Sequence, residues 1–185
     1  MRGEGPWVVP TTRALRSDDA PALADLLRAN RAFLAPFEPE RPEEWFTLAG
    51  QQASVAAALA QERAGGVAAR VVVSEAGRVV GWIIASGIVR GALRSCALGY
   101  WVDEAHNGRG LATAAVGEMV DHAFGPLGLH RVQAETLVHN TASQRVLERN
   151  GFTRYGLAPG YLRIAGRWQD HAMYQVLASD ERPGR

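Results

Sequence analysis

Gly108 and Gly110 are separated by one residue and stand between a strand-like segment and a helix-like one. Because glycine has no Cβ, an anion can approach the backbone closely at such a turn. The N–H groups of a first helical turn point outward, and the helix dipole favours negative charge there. The sequence therefore predicts a phosphate-binding turn formed by Gly108, Arg109, Gly110, Leu111, Ala112 and Thr113.

Two other phosphate-binding motifs fit this turn poorly. A P-loop needs Gly-Lys-Ser/Thr at the helix start, but Leu111 and Ala112 follow Gly110, and the chain has no lysine. A dinucleotide-binding fingerprint needs a third glycine where Thr113 stands. Short glycine motifs also match by chance, so the turn alone leaves a plain loop open as an interpretation.

Three polar residues downstream could also do chemistry. Glu135 lies on the polar face of a predicted strand, where a carboxylate is either a general base or an ordinary solvated side chain. Asn140 and Ser143 stand at the start of the next predicted helix, where they either contact a ligand or cap the helix.

These motifs occur in one order along the chain. The Gly-x-Gly helix start is followed by Asn140, Ser143 and a helix that ends at Gly151-Phe152. This order resembles the GNAT superfamily of acetyl-CoA-dependent N-acetyltransferases. The hairpin segment Leu162–His171 and the segment Leu129–Arg131 are similar to the ribosomal-protein-alanine acetyltransferases within that superfamily. The resemblance runs from about residue 70 to residue 177.

The resemblance implies acetyl-CoA as co-substrate. The glycine turn, opened by Asn107, would bind the CoA pyrophosphate, and Asn140 and Ser143 would border the pantetheine arm. Glu135 stands five residues before Asn140, the position of a general base in related N-terminal acetyltransferases. Ser143 would serve the thiol. The end of the preceding strand would complete the cofactor site with Tyr100, Trp101 and Val102.

The chain departs from the family pattern at three places. Asn107 replaces the usual Gln or Arg that opens the cofactor turn, and it can still form hydrogen bonds. The segment 96–98 lacks the carboxylate that many relatives carry there. Leu147 occupies the position of a tyrosine general acid.

The resemblance implies a primary amine as acceptor, most closely a protein N-terminus such as that of a ribosomal protein. Two other functions stay open, which are acetylation of a small amine such as an antibiotic or a polyamine, and CoA binding without turnover. A homodimer is also left open. The segment Phe33–Pro42 with Trp45 either walls the acceptor opening or packs between helices, and Asp170-His171 is expected to order the C-terminal hairpin near it.

Composition narrows the class of protein. The 185 residues are 47% hydrophobic and 21% charged, with a formal net charge of +1, which indicates a globular domain without a general attraction to nucleic acid. The single cysteine excludes an internal disulfide, and residues 1–7 lack the apolar run of a signal peptide. We therefore expect a cytoplasmic protein without a membrane span. No metal-binding spacing is found among the histidines, which are His106, His122, His130, His139 and His171.

The elements that must position these residues follow from hydrophobic spacing. The pattern predicts one domain over residues 1–185, with flexible segments at 1–10 and 179–185. Its fold class is α+β, with a mixed, mostly antiparallel central sheet flanked by about four helices. The later elements are strands at 67–74, 78–85, 95–102, 131–138, 161–164 and 168–177, and helices at 43–63, 111–124 and 141–149. A two-residue turn, Ala165-Gly166, joins the last two strands.

Overall fold

The computed structural model describes residues 11–183, so the segment 1–10 and the last two residues of the predicted tail lie outside the described residues. Within residues 11–183 the chain forms seven strands and five α-helices. The strands are β1 (Thr12–Ala14), β2 (Ala68–Val73), β3 (Val79–Val89), β4 (Ser95–Val102), β5 (Arg131–Leu137), β6 (Thr153–Ile164) and β7 (Arg167–Leu177). The helices are α1 (Ala20–Ala29), α2 (Arg31–Leu34), α3 (Leu48–Arg63), α4 (Leu111–Phe124) and α5 (Thr141–Arg149).

The seven strands form one sheet in the order β1-β2-β3-β4-β5-β7-β6. Every neighbouring pair is antiparallel except β4 and β5, which run parallel and are joined by the α4 crossover. The predicted α+β class and the mostly antiparallel sheet are confirmed. The structure adds α2, a four-residue helix, to the predicted set of about four helices.

The sheet separates two hydrophobic clusters. One face packs against α4 and α5 through residues such as Val116, Met119 and Leu147, each fully buried. The other face packs against α1 and α3 through Leu23 and Val55, each 1% exposed. No helix between residues 11 and 183 has both the length and the apolar composition needed to cross a bilayer.

The predicted helix over residues 43–63 is interrupted in the structure. Residues Glu43–Phe46 form a 3-10 turn, Thr47 is extended, and α3 starts only at Leu48. The Thr47 side chain accepts a hydrogen bond from the Gly50 amide at 3.0 Å and donates one to the Glu44 carbonyl at 2.7 Å. Thr47 therefore caps α3, and this capping chemistry ends the preceding turn.

The predicted strand over residues 161–164 is the end of a longer one. Strand β6 runs from Thr153 to Ile164, but its register against β7 shifts twice. The second shift contains Pro159 and Gly160, which weaken a strand pattern in sequence yet are tolerated at a bulge on a sheet edge. The predicted Ala165-Gly166 turn is confirmed, and both residues have positive φ angles of 48° and 75°.

Candidate active site

The parallel pairing of β4 and β5 ends before either strand does. The two strands pair over Ser95–Leu98 and Arg131–Ala134, while β4 continues to Val102 and β5 continues to Leu137. Since the strands no longer share hydrogen bonds beyond that point, a gap opens in the middle of the sheet. The gap belongs to a cleft of about 1340 Å³ that is lined by residues from both strand ends.

The turn before α4 forms one end of this cleft. Gly108 and Gly110 have φ angles of 75° and 80°, and a Cβ added at either position would contact nothing within 4 Å. The first helical hydrogen bond is donated by the Ala114 amide to the Gly110 carbonyl at 2.9 Å. Within residues 11–183, no backbone amide from 108 to 113 donates a hydrogen bond. These unpaired amides and the open space above the glycines suit a phosphate.

Most of the predicted cofactor residues share this cleft. Those that line it are Tyr100, Trp101, Val102, Asn107, Gly108, Gly110, Leu111, Ala112, Thr113, Asn140 and Ser143. Arg109 is exposed and lies outside the lining. Two other cations, Arg145 and Arg149, do line it, and their spacing of four residues on α5 places them on one helix face. The sequence analysis did not predict these two arginines, although their spacing of four residues on a predicted helix could have indicated them.

The start of α5 shows which of Asn140 and Ser143 caps the helix and which of their polar groups are free to contact a ligand. Asn140 is the cap, because its Oδ1 accepts a hydrogen bond from the Ser143 amide at 3.1 Å. Asn140 Nδ2 donates to no group within residues 11–183. The Ser143 hydroxyl does not cap the helix, since it lies 2.9 Å from the Tyr100 hydroxyl.

Tyr100 and Ser143 form a hydroxyl pair at the point where the strands separate. Burial raises the pKa of Tyr100 to about 12, and the hydrogen bond to Ser143 opposes that shift. The phenol therefore stays protonated at neutral pH. Leu147, one helical turn after Ser143, is fully buried in the core and offers no polar group. Ser143 of this pair thus stands one helical turn before the position at which the resemblance implied a general acid.

Glu135 lines the cleft at the end of β5. The side chain is half-buried, and this burial raises its pKa above the ordinary value, while a backbone hydrogen bond partly opposes the shift. The charge of Glu135 is in turn the largest cause of the raised pKa of Tyr161, on β6. Glu135 therefore lies in a partly dry part of the cleft, close enough to Tyr161 for their charges to interact.

The segment 33–42 forms a wall of the cleft beside the β6–β7 turn. Phe33 and Phe37 both line the cleft, and the Phe37 ring lies 6.5 Å from the ring of His139. The carbonyl of Glu38 accepts a hydrogen bond from Ala165, in the β6–β7 turn, at 3.3 Å. These contacts favour the wall over simple packing between helices.

A second carboxylate lies in that wall. Glu38 is half-buried and lines the cleft, and burial raises its pKa, an effect that Arg41 opposes. Sequence reasoning missed Glu38 because the residue lies in a segment broken by prolines, without periodic spacing. Glu38 and Glu135 are carboxylates on different walls of one cleft, an arrangement that suits a cationic ligand.

The histidines do not form a metal site in the described chain. No group of three His, Cys, Asp or Glu side chains within residues 11–183 is close enough to hold a metal ion. His106 instead contacts Asp103, whose Oδ2 lies 2.6 Å from its Nδ1, and Asp103 also accepts a hydrogen bond from Asn30 at 2.7 Å. This network fixes the loop before the glycine turn to the end of α1.

Known proteins match this chain over nearly its full length. The acetyltransferase (GNAT) domain model matches residues 11–153. The probable N-acetyltransferase YjcK of Bacillus subtilis is 34% identical over 170 residues, which cover 91% of this chain and 94% of that protein. The ribosomal protein uS5-alanine N-acetyltransferase of Escherichia coli is 32% identical over 174 residues, which cover 94% of this chain and 90% of that protein.

A solved structure shares the fold. Mycobacterium smegmatis RimJ in complex with CoA-disulfide matches with a TM-score of 0.87 and 33% identity, over 94% of this chain and 86% of that one. This chain therefore resembles acetyltransferases in both sequence and fold. It also contains the parallel β4–β5 pair, the gap beyond that pair and the glycine turn before α4. The sequence matches and the shared fold show that this chain belongs to the acetyltransferase (GNAT) domain family.

Proposed function

We propose that this chain transfers the acetyl group of acetyl-CoA to the α-amine of a protein N-terminus, and that a ribosomal protein beginning with alanine is the acceptor. The observation that carries the proposal is one cleft that has unpaired amides at the glycine turn and the carboxylates of Glu38 and Glu135 in its lining. The likeness to the uS5-alanine N-acetyltransferase supports the choice of acceptor. A ribosomal acceptor and the single buried cysteine, Cys96, fit a reducing cytoplasm.

Acetyl-CoA fits the cleft from the glycine turn to the strand gap. The amides from 108 to 113 would hold the pyrophosphate, and the positive charges of Arg145 and Arg149 would favour the same polyanion. Asn140 Nδ2 is available to the pantetheine arm beside the cap that its Oδ1 forms. The co-substrate supplies a thioester, and the remaining chemistry is the handling of protons by the protein.

The acceptor arrives as an ammonium group and must lose two protons. The amide product keeps one of its three protons, one goes to the leaving sulfur, and one goes to solvent. Glu135 assists the loss from nitrogen, because its carboxylate attracts the ammonium group and can accept a proton, directly or through water. An α-amine has a pKa near 8, so the assistance needed near neutral pH is modest.

The hydroxyl pair serves the leaving sulfur. Ser143 donates a hydrogen bond to the thiolate, and Tyr100, at 2.9 Å, supplies a hydrogen bond to Ser143 in return. Since Tyr100 keeps its proton at neutral pH, the pair acts as a polarised donor over the whole working range. In this proposal the hydroxyl pair takes over the role of the tyrosine general acid, whose position Leu147 occupies in this chain.

Thiol release tests the function. The purified chain would be incubated with acetyl-CoA and an alanine-initiated uS5 N-terminal peptide, with the same peptide already N-acetylated as the control. We expect thiol release, and one added acetyl group by mass spectrometry, only with the free peptide. Release with spermidine but not with the peptide would favour the small-amine alternative. CoA binding without release for any amine would favour a non-catalytic CoA-binding protein.

A further inference from the structure

His171 is a buried polar residue in the acceptor part of the cleft that the reaction above does not use. It lies on β7, is 3% exposed, and lines the cleft with Leu162 and Ile164 of the same hairpin. Its ring lies 5.4 Å from the ring of Tyr161. A buried imidazole beside an aromatic ring usually fills space, so the state of its two nitrogens decides what else it does.

One hydrogen bond decides which nitrogen of the neutral His171 ring carries the proton. Nδ1 lies 3.0 Å from the carbonyl oxygen of Gln169, and a carbonyl oxygen only accepts, so Nδ1 carries the proton. Nε2 then bears a lone pair and makes no hydrogen bond to any residue from 11 to 183. Nε2 is not fully buried, and His171 lines the cleft. The imidazole thus places a nitrogen that can take up a proton in the part of the cleft where the amine substrate would bind.

The strand register places this nitrogen near Glu135. In the β5–β7 ladder Leu137 pairs with His171 and Glu135 pairs with Met173. Directly paired residues point to one face of a sheet, and so do residues two apart on a strand. Glu135 and His171 are therefore diagonal neighbours on one face, with Cβ atoms roughly 7–8 Å apart or less. An amine nitrogen between the two side chains can contact both.

We propose that Nε2 of His171 accepts the proton that leaves the ammonium group of the acceptor, an inference that rests on the function proposed above. The N–H bond breaks, its electron pair stays on the amine nitrogen, and the proton bonds to Nε2. Nδ1 keeps its own proton and its bond to Gln169, and the imidazolium then releases the Nε2 proton to water in the cleft. In this step the carboxylate of Glu135 does not take the proton itself. Its negative charge holds the ammonium group beside Nε2 before the transfer and stabilises the imidazolium after it.

The surrounding charges favour this step. The charged residue of β5 nearest the imidazole is Glu135, whose carboxylate is negative. Tyr161 on β6 is neutral at working pH, and its pKa is raised further by Glu135. Asp170, next to His171 on β7, accepts a hydrogen bond from the Gly160 amide at 2.8 Å and so is occupied on the edge-strand side. Titratable and charged groups near His171 include Glu135 on β5, Tyr161 on β6, Asp170 on β7, His139 after β5, and Glu38 and Arg41, which line the same cleft.

His171→Asn separates catalysis from packing. An asparagine amide can still donate to the Gln169 carbonyl but has no atom at the place of Nε2. At pH 7 we expect kcat/KM for the peptide to fall by about a hundredfold or more, with the KM for acetyl-CoA and the thermal midpoint near those of the wild type. The loss should shrink above pH 8, where the amine is already neutral. His130→Asn makes the same change at an exposed residue outside the cleft and should leave activity unchanged.

Several results would overturn the assignment. A folded His171→Asn protein with wild-type kcat/KM at pH 7, or with a loss that stays constant to pH 9, would leave His171 as a packing residue. If the variant does not fold, nitrogen NMR of the wild-type protein decides, because a proton on Nε2 rather than on Nδ1 would exclude the step. A wild-type protein without activity toward any amine would contradict the proposed function itself and not this assignment alone.

Discussion

The phenol oxygen of Tyr100 lies 2.9 Å from the hydroxyl of Ser143 and thereby joins the free end of β4 to the first turn of α5. This bond spans the place where β4 and β5 lose their pairing. In the proposed reaction this pair supplies the hydrogen-bond donor that Leu147, a buried apolar side chain, cannot supply.

Tyr100→Phe keeps the ring and removes the hydroxyl. We expect kcat to fall about tenfold, the effect of one hydrogen bond of roughly 1.4 kcal/mol, with little change in the KM for acetyl-CoA. Ser143→Ala should act similarly, and the double variant should lose less than the product of the two losses, because the hydroxyls act as one unit. Tyr155→Phe removes an exposed hydroxyl that bonds Gln133 at 2.8 Å and serves as the control. If the loss in the double variant equalled the product of the two single losses, the two hydroxyls would act independently and the proposed pair would be wrong.

Gly110→Ala tests the phosphate turn against plain backbone strain. Gly110 has a φ of 80°, and Gly77 in the β2–β3 turn has a φ of 72° with equally open surroundings. Alanine at either position should lower the free energy of unfolding by about 1–2 kcal/mol, the cost of a left-handed residue with a Cβ. Only Gly110→Ala should weaken acetyl-CoA binding, measured by calorimetry. Equal affinities in the two variants would remove the turn from the cofactor site.

Asn140→Asp separates the cap from the ligand-facing amide. Aspartate caps a helix as well as asparagine does, so unfolding by denaturant should be nearly unchanged. The substitution replaces Nδ2 by an oxygen, and the KM for acetyl-CoA should therefore rise. Asn140→Ala should show both defects, with a stability loss of about 1 kcal/mol. An unchanged KM in Asn140→Asp would make Asn140 a cap alone.

Glu135→Gln should slow the enzyme at neutral pH. The variant removes the charge that assists the amine, and the loss should shrink as the pH passes the amine pKa, near 8. The measurement is a profile of kcat/KM from pH 6.5 to 9 with the peptide acceptor. Wild-type rates throughout would make Glu135 a bystander.

The same variant should be more stable than the wild type at pH 7. Burial raises the pKa of Glu135 above its ordinary 4.5, so the folded chain binds this proton more tightly than the unfolded chain does. That contribution stabilises the fold below the ordinary pKa and is lost as the pH rises through the raised value. Glu135→Gln should therefore raise the thermal midpoint at pH 7, and the gain should vanish below about pH 4. Glu75→Gln, in the exposed β2–β3 turn, is the control and should leave the thermal midpoint unchanged at both pH values. A lower midpoint for Glu135→Gln at pH 7 would show instead that the charge of Glu135 stabilises the fold.

Cys96 should resist thiol reagents. The residue is 2% exposed, and burial raises the pKa of its thiol to about 11. At pH 8 only about one thiol in a thousand is ionised, so reaction should require unfolding. Native protein mixed with a disulfide reagent should release no chromophore over minutes, whereas protein in guanidinium should release one equivalent. Rapid reaction of native protein would contradict the buried placement.

Local chemistry made part of this protein predictable. The glycine turn before α4 and the Ala165-Gly166 hairpin each depend on a few adjacent residues whose backbone preferences are strong, and both could be located from the sequence. The cap at Asn140 was one of two interpretations that the sequence left open. The family motifs added the expected order of elements. The break at Thr47 and the start of β6 were missed because a cap inside an apolar pattern and a bulged edge strand weaken the periodic signal.

Only the tertiary structure decided which side chains meet. Tyr100 and Ser143 are 43 residues apart and touch because β4 and α5 border the same gap. Glu135 and His171 share one face because of the β5–β7 register, and a shift of one residue would turn His171 away. The sequence therefore specified the residue types and the local turns. The packing of both sheet faces set the strand register, because long-range contacts depend on how two buried surfaces fit and not on the order of neighbouring residues.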